Sequence, residues 1–173
     1  MNVGFVNPFL DALVNVLKTM ANVEVTYSAP CIKADNVAKG DVTGLIGLAG
    51  ERTSGSIAIT FTEEVVLYIA SNMLGEKMTE LNDEISDMVG EITNMVSGGG
   101  RKVLAEQGYK FNMAIPTTIA GKNHTISHKA RGTIVLITFK TTAGQFYVEI
   151  CFEDEKTKPE QAYNVKSKVL YKR

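Results

Sequence analysis

What this chain has little of sets the first bounds. It holds only two cysteines, Cys31 and Cys151, far apart and each in an apolar setting. Neither a disulfide framework nor a cysteine metal pair is expected, and two buried free thiols suit a cytoplasmic protein. An excess of charge is also lacking. The formal net charge is −1 at pH 7, so electrostatics provide no reason to expect nucleic acid as the main partner. No uninterrupted apolar run is long enough to span a bilayer. The N-terminus lacks the basic start, apolar run and small-residue cleavage site of a signal peptide. The two histidines, His124 and His128, lie four apart. On a helix that spacing can bind a metal, but no third ligand is evident, so they read as surface or loop residues and no metal is expected.

What remains is an ordinary globular composition. The 173 residues are 45% hydrophobic and 21% charged, which fits one domain able to bury a real core. The stretch Asp83 to Gln107 organises the rest. Asn82 or Asp83 can cap its first turn, and the acids at 83, 84 and 87 suit the positive end of a helix macrodipole. Apolar residues at 85, 88, 89, 92, 95 and 96 fall at helical spacing. They share one arc, and the opposite arc carries Asp87, Glu91 and Asn94. Four glycines, Gly90, Gly98, Gly99 and Gly100, each cost a helix about 1 kcal/mol relative to alanine. Close packing on the chain's own sheet is the reading for Gly99 and Gly100. Partner access is the reading for Gly90 and Gly98, which flank the Glu91/Asn94 side.

The remaining chain reads as alternating elements. Residues 8–20 suggest a buried helix with Asn7 as N-cap and Pro8 in the first helical position. Val23 to Ala29 reads as a strand closed by Pro30, and residues 31–42 as a loop or irregular strand. Leu45–Ala49 and Ser56–Phe61 flank E-R-T-S-G, a hairpin signal. Glu63–Leu74 suggests a helix with Thr62 as N-cap and Gly75 beyond its end. Phe111–Ile119 reads as an edge or bulged strand because of Pro116. Residues 120–131 are polar and read less clearly. Thr133–Lys140 and Gln145–Phe152 are strands joined by T-T-A-G. The tail after residue 155 is basic and polar, and a solvated terminus is expected.

The chain also repeats a pattern of helix, strand, proline and hairpin. Pro30 and Pro116 are 86 residues apart, and Gly55 and Gly144, taken as the two hairpin turns, are 89 apart. Half-repeats of about 1–75 and 80–155 imply an α+β domain over residues 1–155, with a mixed or antiparallel sheet packed on two long helices. Counting back with the proline offset sets Phe5 opposite Glu91 and Pro8 opposite Asn94. The first half is then expected to hold neither group.

Glu91-x-x-Asn94, preceded by Asp87 and followed by Pro116 after 21 intervening residues, resembles the signature of the CheC/CheX/FliY phosphatases of bacterial chemotaxis. A single such pair is similar to the CheX type. The resemblance covers residues 1 to about 155. It implies hydrolysis of the aspartyl phosphate of a CheY-type response regulator, with Asn94 positioning the attacking water and Glu91 gripping the regulator's active-site lysine. Asp87 would bound the same surface. It also implies Mg²⁺ held by the regulator, no cofactor on this chain, and a homodimer. A non-catalytic adaptor that binds a regulator through the same helix face is the alternative. Ser97-Gly-Gly-Gly lacks the lysine and preceding strand of a phosphate loop. Thr53 and Ser54 have no histidine partner suggested by the sequence, so nucleophilic catalysis has no support.

Overall fold

The structure is a computed structural model that describes residues 3–51, 53–112 and 114–154. The basic tail lies outside the described residues. In chain order the elements are helix α1 (Val3–Ala21), strands β1 (Thr26–Tyr27), β2 (Cys31–Ile32), β3 (Val42–Ala49) and β4 (Thr53–Phe61), helices α2 (Glu63–Leu74) and α3 (Asp83–Glu106), and strands β5 (Thr117–Ala120), β6 (Ile134–Thr141) and β7 (Gly144–Asp154). The strands form one sheet in the order β1-β6-β7-β4-β3-β5, with β2 also paired to β6. All of these pairings are antiparallel. The architecture is α+β, as the sequence pattern implies.

Alternation along the strands decides which face each side chain serves. Val42, Ile46 and Leu48 of β3, Ile57, Ile59 and Phe61 of β4, and Phe146, Val148 and Ile150 of β7 point to the helices and share one buried core with them. Most of the intervening residues are shorter or polar. Thr43, Ser56, Ala58, Thr60 and Glu149 are all buried as well, because residues 121–131 cross that second face. Ile126 seals it with Ala38, Ala58 and Leu45.

Several sequence expectations need correction, each for a local reason. The first helix begins at Val3, so Pro8 lies inside it rather than at its start. It ends where Asn22 turns left-handed, with φ of 50°, and the Val23 N–H reaches the Leu17 carbonyl at 3.1 Å. The strand expected at 23–29 shrinks to β1. Pro30, with no N–H to donate, separates it from β2, although both pair with β6. Gly55 is inside β4 rather than in a turn, and it leaves room for the Phe152 ring. Of the expected 111–119 strand only residues 117–119 join a ladder, as part of β5, and Phe111 makes an isolated bridge to Gly50. Cys31 is exposed, not buried, while Cys151 is buried, and both are free thiols. Thr62 makes no side-chain cap for α2. Asp41 Oδ2 instead accepts the Glu63 N–H at 2.7 Å.

The helical glycines divide by neighbour. Gly99 and Gly100 pack on α1 rather than on the sheet. A β-carbon on Gly99 would sit 2.8 Å from Ala12 Cβ, and one on Gly100 would enter the Phe9 ring. Gly98 has no atom within 4 Å of the same position. Two alanine substitutions two residues apart are therefore expected to act oppositely in urea unfolding. Gly100→Ala should lose about 1–3 kcal/mol through overpacking, whereas Gly98→Ala should gain up to about 1 kcal/mol from helix propensity. Equal effects of the two would contradict this packing.

Candidate functional site

α3 is held on two sides, and that leaves one face for function. Its start is capped by Asn82, whose Oδ1 accepts the Ile85 N–H at 3.0 Å. Ile85, Val89, Ile92 and Val96 are buried. Beneath them Gly44 of β3 leaves room for the helix, because a β-carbon there would lie 3.1 Å from the Val89 carbonyl and collide with Thr93 Oγ1. Thr93 Oγ1 donates to the Val89 carbonyl at 2.7 Å and so stays within its own helix. On the second side Gly99 and Gly100 meet α1.

Asp87, Glu91 and Asn94 occupy the opposite arc and are exposed. Glu91 and Asn94 are separated by about 4.5 Å along the axis at 1.5 Å rise per residue. Among the described residues, neither side chain has a hydrogen-bond or ion-pair partner, so both are available to a second molecule. Asp87 and Glu91 are like charges at i and i+4, a pairing that costs an isolated helix about 0.2–0.5 kcal/mol. Helix stability does not select that pair. A cation presented by a partner would relieve it.

The two flanking glycines differ. Gly98 opens to solvent. Gly90 is half-buried, and a β-carbon there would lie 3.3 Å from Thr118 Oγ1. Thr118 Oγ1 also donates to the Ser86 carbonyl at 3.2 Å. Gly90 therefore lies at the contact between α3 and edge strand β5. The segment after α3 runs back beside it to Pro116, which directly precedes β5. Ser97 and the three glycines after it are interior residues of α3, with no phosphate loop there.

A second polar cluster sits on the other face of the sheet, and the sequence reading missed it. His128 Nδ1 lies 2.7 Å from Ser56 Oγ, and its Nε2 lies 3.3 Å from Glu149 Oε2. Lys33 Nζ approaches Glu149 Oε1 at 3.0 Å and Asp35 at 3.4 Å. The Lys33–Glu149 contact is an ion pair without hydrogen-bond alignment. The Lys33, His128 and Glu149 side chains are each only 1% exposed. His124 Nε2 meets Thr43 Oγ1 at 2.7 Å, and Thr43 meets Thr60 at 2.7 Å. The histidines are thus anchors that hold residues 121–131 on the sheet. Among the described residues no three metal-ligating side chains converge. Burial pushes the Cys151 thiol up, and its Sγ donates to the Ala130 and Gly132 carbonyls. One signal was legible in the sequence: Glu149 stands inside an apolar strand, and a buried charge requires a partner.

The model of the family described as chemotaxis phosphatase CheX matches residues 42–140, a span that includes all of α3 and Pro116. The chain belongs to the CheX family. A chemotaxis protein CheX from Vibrio vulnificus is 54% identical, with 86% of this chain and 99% of that one covered at a TM-score of 0.81. The Borrelia burgdorferi CheX solved in a CheX–CheY–BeF3–Mg²⁺ complex is 29% identical, covering 87% of this chain and 98% of that one at a TM-score of 0.74. The CheY-P phosphatase CheX of Thermotoga maritima is 24% identical over 124 residues, 71% of this chain and 79% of its own. As a CheX family member the chain is a phosphatase of chemotaxis. No helix among the described residues is long and apolar enough to cross a membrane.

The buried cluster yields a test of its own. Lys33→Met leaves Glu149 without its cation, and breaking a buried pair in this way costs about 3–5 kcal/mol. Urea unfolding should register a loss of that order. Replacing Asp35, which is exposed, should change stability by less than about 1 kcal/mol. A Lys33→Met protein as stable as wild type would show that the pair does not hold β2 to β7.

Proposed function

We propose that this member of the CheX family hydrolyses the aspartyl phosphate of a CheY-type response regulator on the exposed face of α3, with Glu91 and Asn94 as the working pair. The observation that carries the reading is the availability of these two side chains, one turn apart, on a helix immobilised by α1 and β3. The Borrelia burgdorferi complex of CheX with CheY, BeF3 and Mg²⁺ supports a regulator as the partner and Mg²⁺ as the partner's ion.

The chemistry asks little of this chain. An acyl phosphate is already activated, and in a loose transition state most catalysis is positioning and electrostatics. The Asn94 amide has both a donor and an acceptor. It holds a water in line with the phosphorus. The water oxygen bonds to phosphorus as the bond from phosphorus to the aspartyl oxygen breaks. The aspartate leaves as a carboxylate, and the water proton passes to phosphate and solvent. No general base is needed on this chain. Glu91 accepts a charge-assisted hydrogen bond from the regulator's active-site lysine and sets the register of docking. Asp87 adds negative potential to the same surface, and Gly98 lets the partner backbone come close. We also infer a homodimer, which places two α3 faces in each assembly. The open edge of β5 offers unpaired backbone groups for such an association.

The direct test is phosphate release from phosphorylated regulator with Mg²⁺, measured above the regulator's own decay. Wild type should accelerate release. Asn94→Ala should lose about 100-fold in rate while still binding the regulator, and Glu91→Ala should lose both rate and affinity. Binding without acceleration by wild type would instead identify an adaptor. Sedimentation of the free chain should give twice the monomer mass, and a monomer across the working concentration range would dismiss the dimer.

A further inference from the structure

We propose that Ile115 is an apolar anchor for the phosphorylated response regulator, set beside Asn94 so that it seats the partner on the α3 face. This inference rests on the α3 reading above and adds to it a residue that touches no reacting atom.

Ile115 is 90% exposed, more than any other large exposed hydrophobic among the described residues. Its neighbours turn the other way. Ala114 packs against the core, and Pro116 is half-buried. Such alternation of burial is that of extended chain, and it leaves the Ile115 side chain directed away from the body of the protein. A single apolar residue on a surface is ordinary. The location of this one is what matters.

The connection from α3 to β5 sets that location. At its start the Tyr109 N–H donates to the Leu104 carbonyl at 3.0 Å. At its end Thr118 Oγ1 donates to the Ser86 carbonyl and lies beside Gly90. The chain from 109 to 118 therefore returns along α3 from 104 to near position 88. At about 1.5 Å per helical residue and about 3.3 Å per extended one, the two paths are both about 24–30 Å long. Two-thirds of the way along, Ile115 comes level with Thr93 and Asn94. The segment is also tied down between its ends. The Asn112 N–H donates to the Ala49 carbonyl at 2.7 Å, and Phe111 bridges to Gly50.

The side of the helix agrees with the level. Gly90 faces this connection through Thr118. Asn94, four residues on, is turned from Gly90 by only about 40° around the axis, and Glu91 by about 100°. Asn94 is thus the member of the pair that adjoins Ile115. Val103, another exposed apolar residue of this region, lines the groove toward α1 instead.

The occupant follows from what the α3 face lacks. Asp87 and Glu91 are exposed acids, which fix register but add little affinity in water. Gly98 adds no side chain. A docking surface gains its affinity from an apolar anchor buried at the centre of polar contacts. Ile115 supplies one next to the reacting water, on a segment whose placement is fixed at both ends. The regulator would meet it with an apolar patch beside its phosphorylated aspartate. A second copy of this chain, paired along β5, is the competing occupant.

The test is phosphate release measured across regulator concentration for Ile115→Ser, Ile115→Leu and Ile32→Ser. Ile32 is the control, since it is 75% exposed and lies on β2, at the other side of the sheet from β5. Ile115→Ser should raise KM by about 10- to 100-fold, which is what burying one such side chain supplies. Its kcat should change by less than about twofold, as expected when uniform binding is lost. Ile115→Leu should stay within about threefold of wild type in KM, and Ile32→Ser should match wild type. The urea midpoint should not move, because the replaced side chain is exposed. An unchanged KM for Ile115→Ser, with wild type accelerating release, refutes the anchor and leaves the α3 reading standing. An equal rise in KM for Ile32→Ser refutes it as well, since the loss is then not local. If Ile115→Ser sediments as a monomer where wild type is a dimer, the side chain serves a second copy and the anchor is again refuted. If wild type itself fails to accelerate release, the α3 reading falls and the anchor falls with it.

Discussion

Close approach of backbone to helix is the constraint on which this structure depends. α3 lies between β3 and α1, and neither contact is possible with a side chain at the touching points. Gly44 supplies the absence on the sheet, and Gly99 and Gly100 supply it on the helix. Protein interiors are packed too densely to absorb even one extra methyl at such places. The outcome is a helix whose rotation is set. With Val89, Ile92 and Val96 committed to the core, residues 87, 91 and 94 have one direction left, outward. A site that works by positioning needs a support of this kind, since small misplacements are costly.

The second face of the sheet is held by different physics. Most of its side chains are short or polar, and the crossing segment 121–131 covers them with Ile126 and two histidines. Lys33, His128 and Glu149 are buried together, and any one alone would leave a charge or donor stranded. Such a cluster joins β2, β4, β7 and the crossing segment through atoms that accept only a narrow geometry. It lies across the sheet from α3.

Much of this was visible in the residues, and the failures are instructive. The period of α3, its Asn82 cap, its exposed Asp87, Glu91 and Asn94 and the two later hairpin strands could be read from local pattern, since each depends on neighbours in sequence. The contact of Gly90 with Thr118 was not legible, because the two lie 28 residues apart. His124 and His128 looked like surface residues because their partners, Thr43, Ser56 and Glu149, come from three strands that only the fold assembles.

The sequence by itself determined the helix that carries Glu91 and Asn94, the face on which they stand, and the α+β class. Helical and strand periodicities and caps are short-range properties, written in spacings of two to four residues. The tertiary structure alone decided which glycines serve packing and which charges are buried. Those outcomes depend on contacts between distant segments, and such contacts leave no period in the chain.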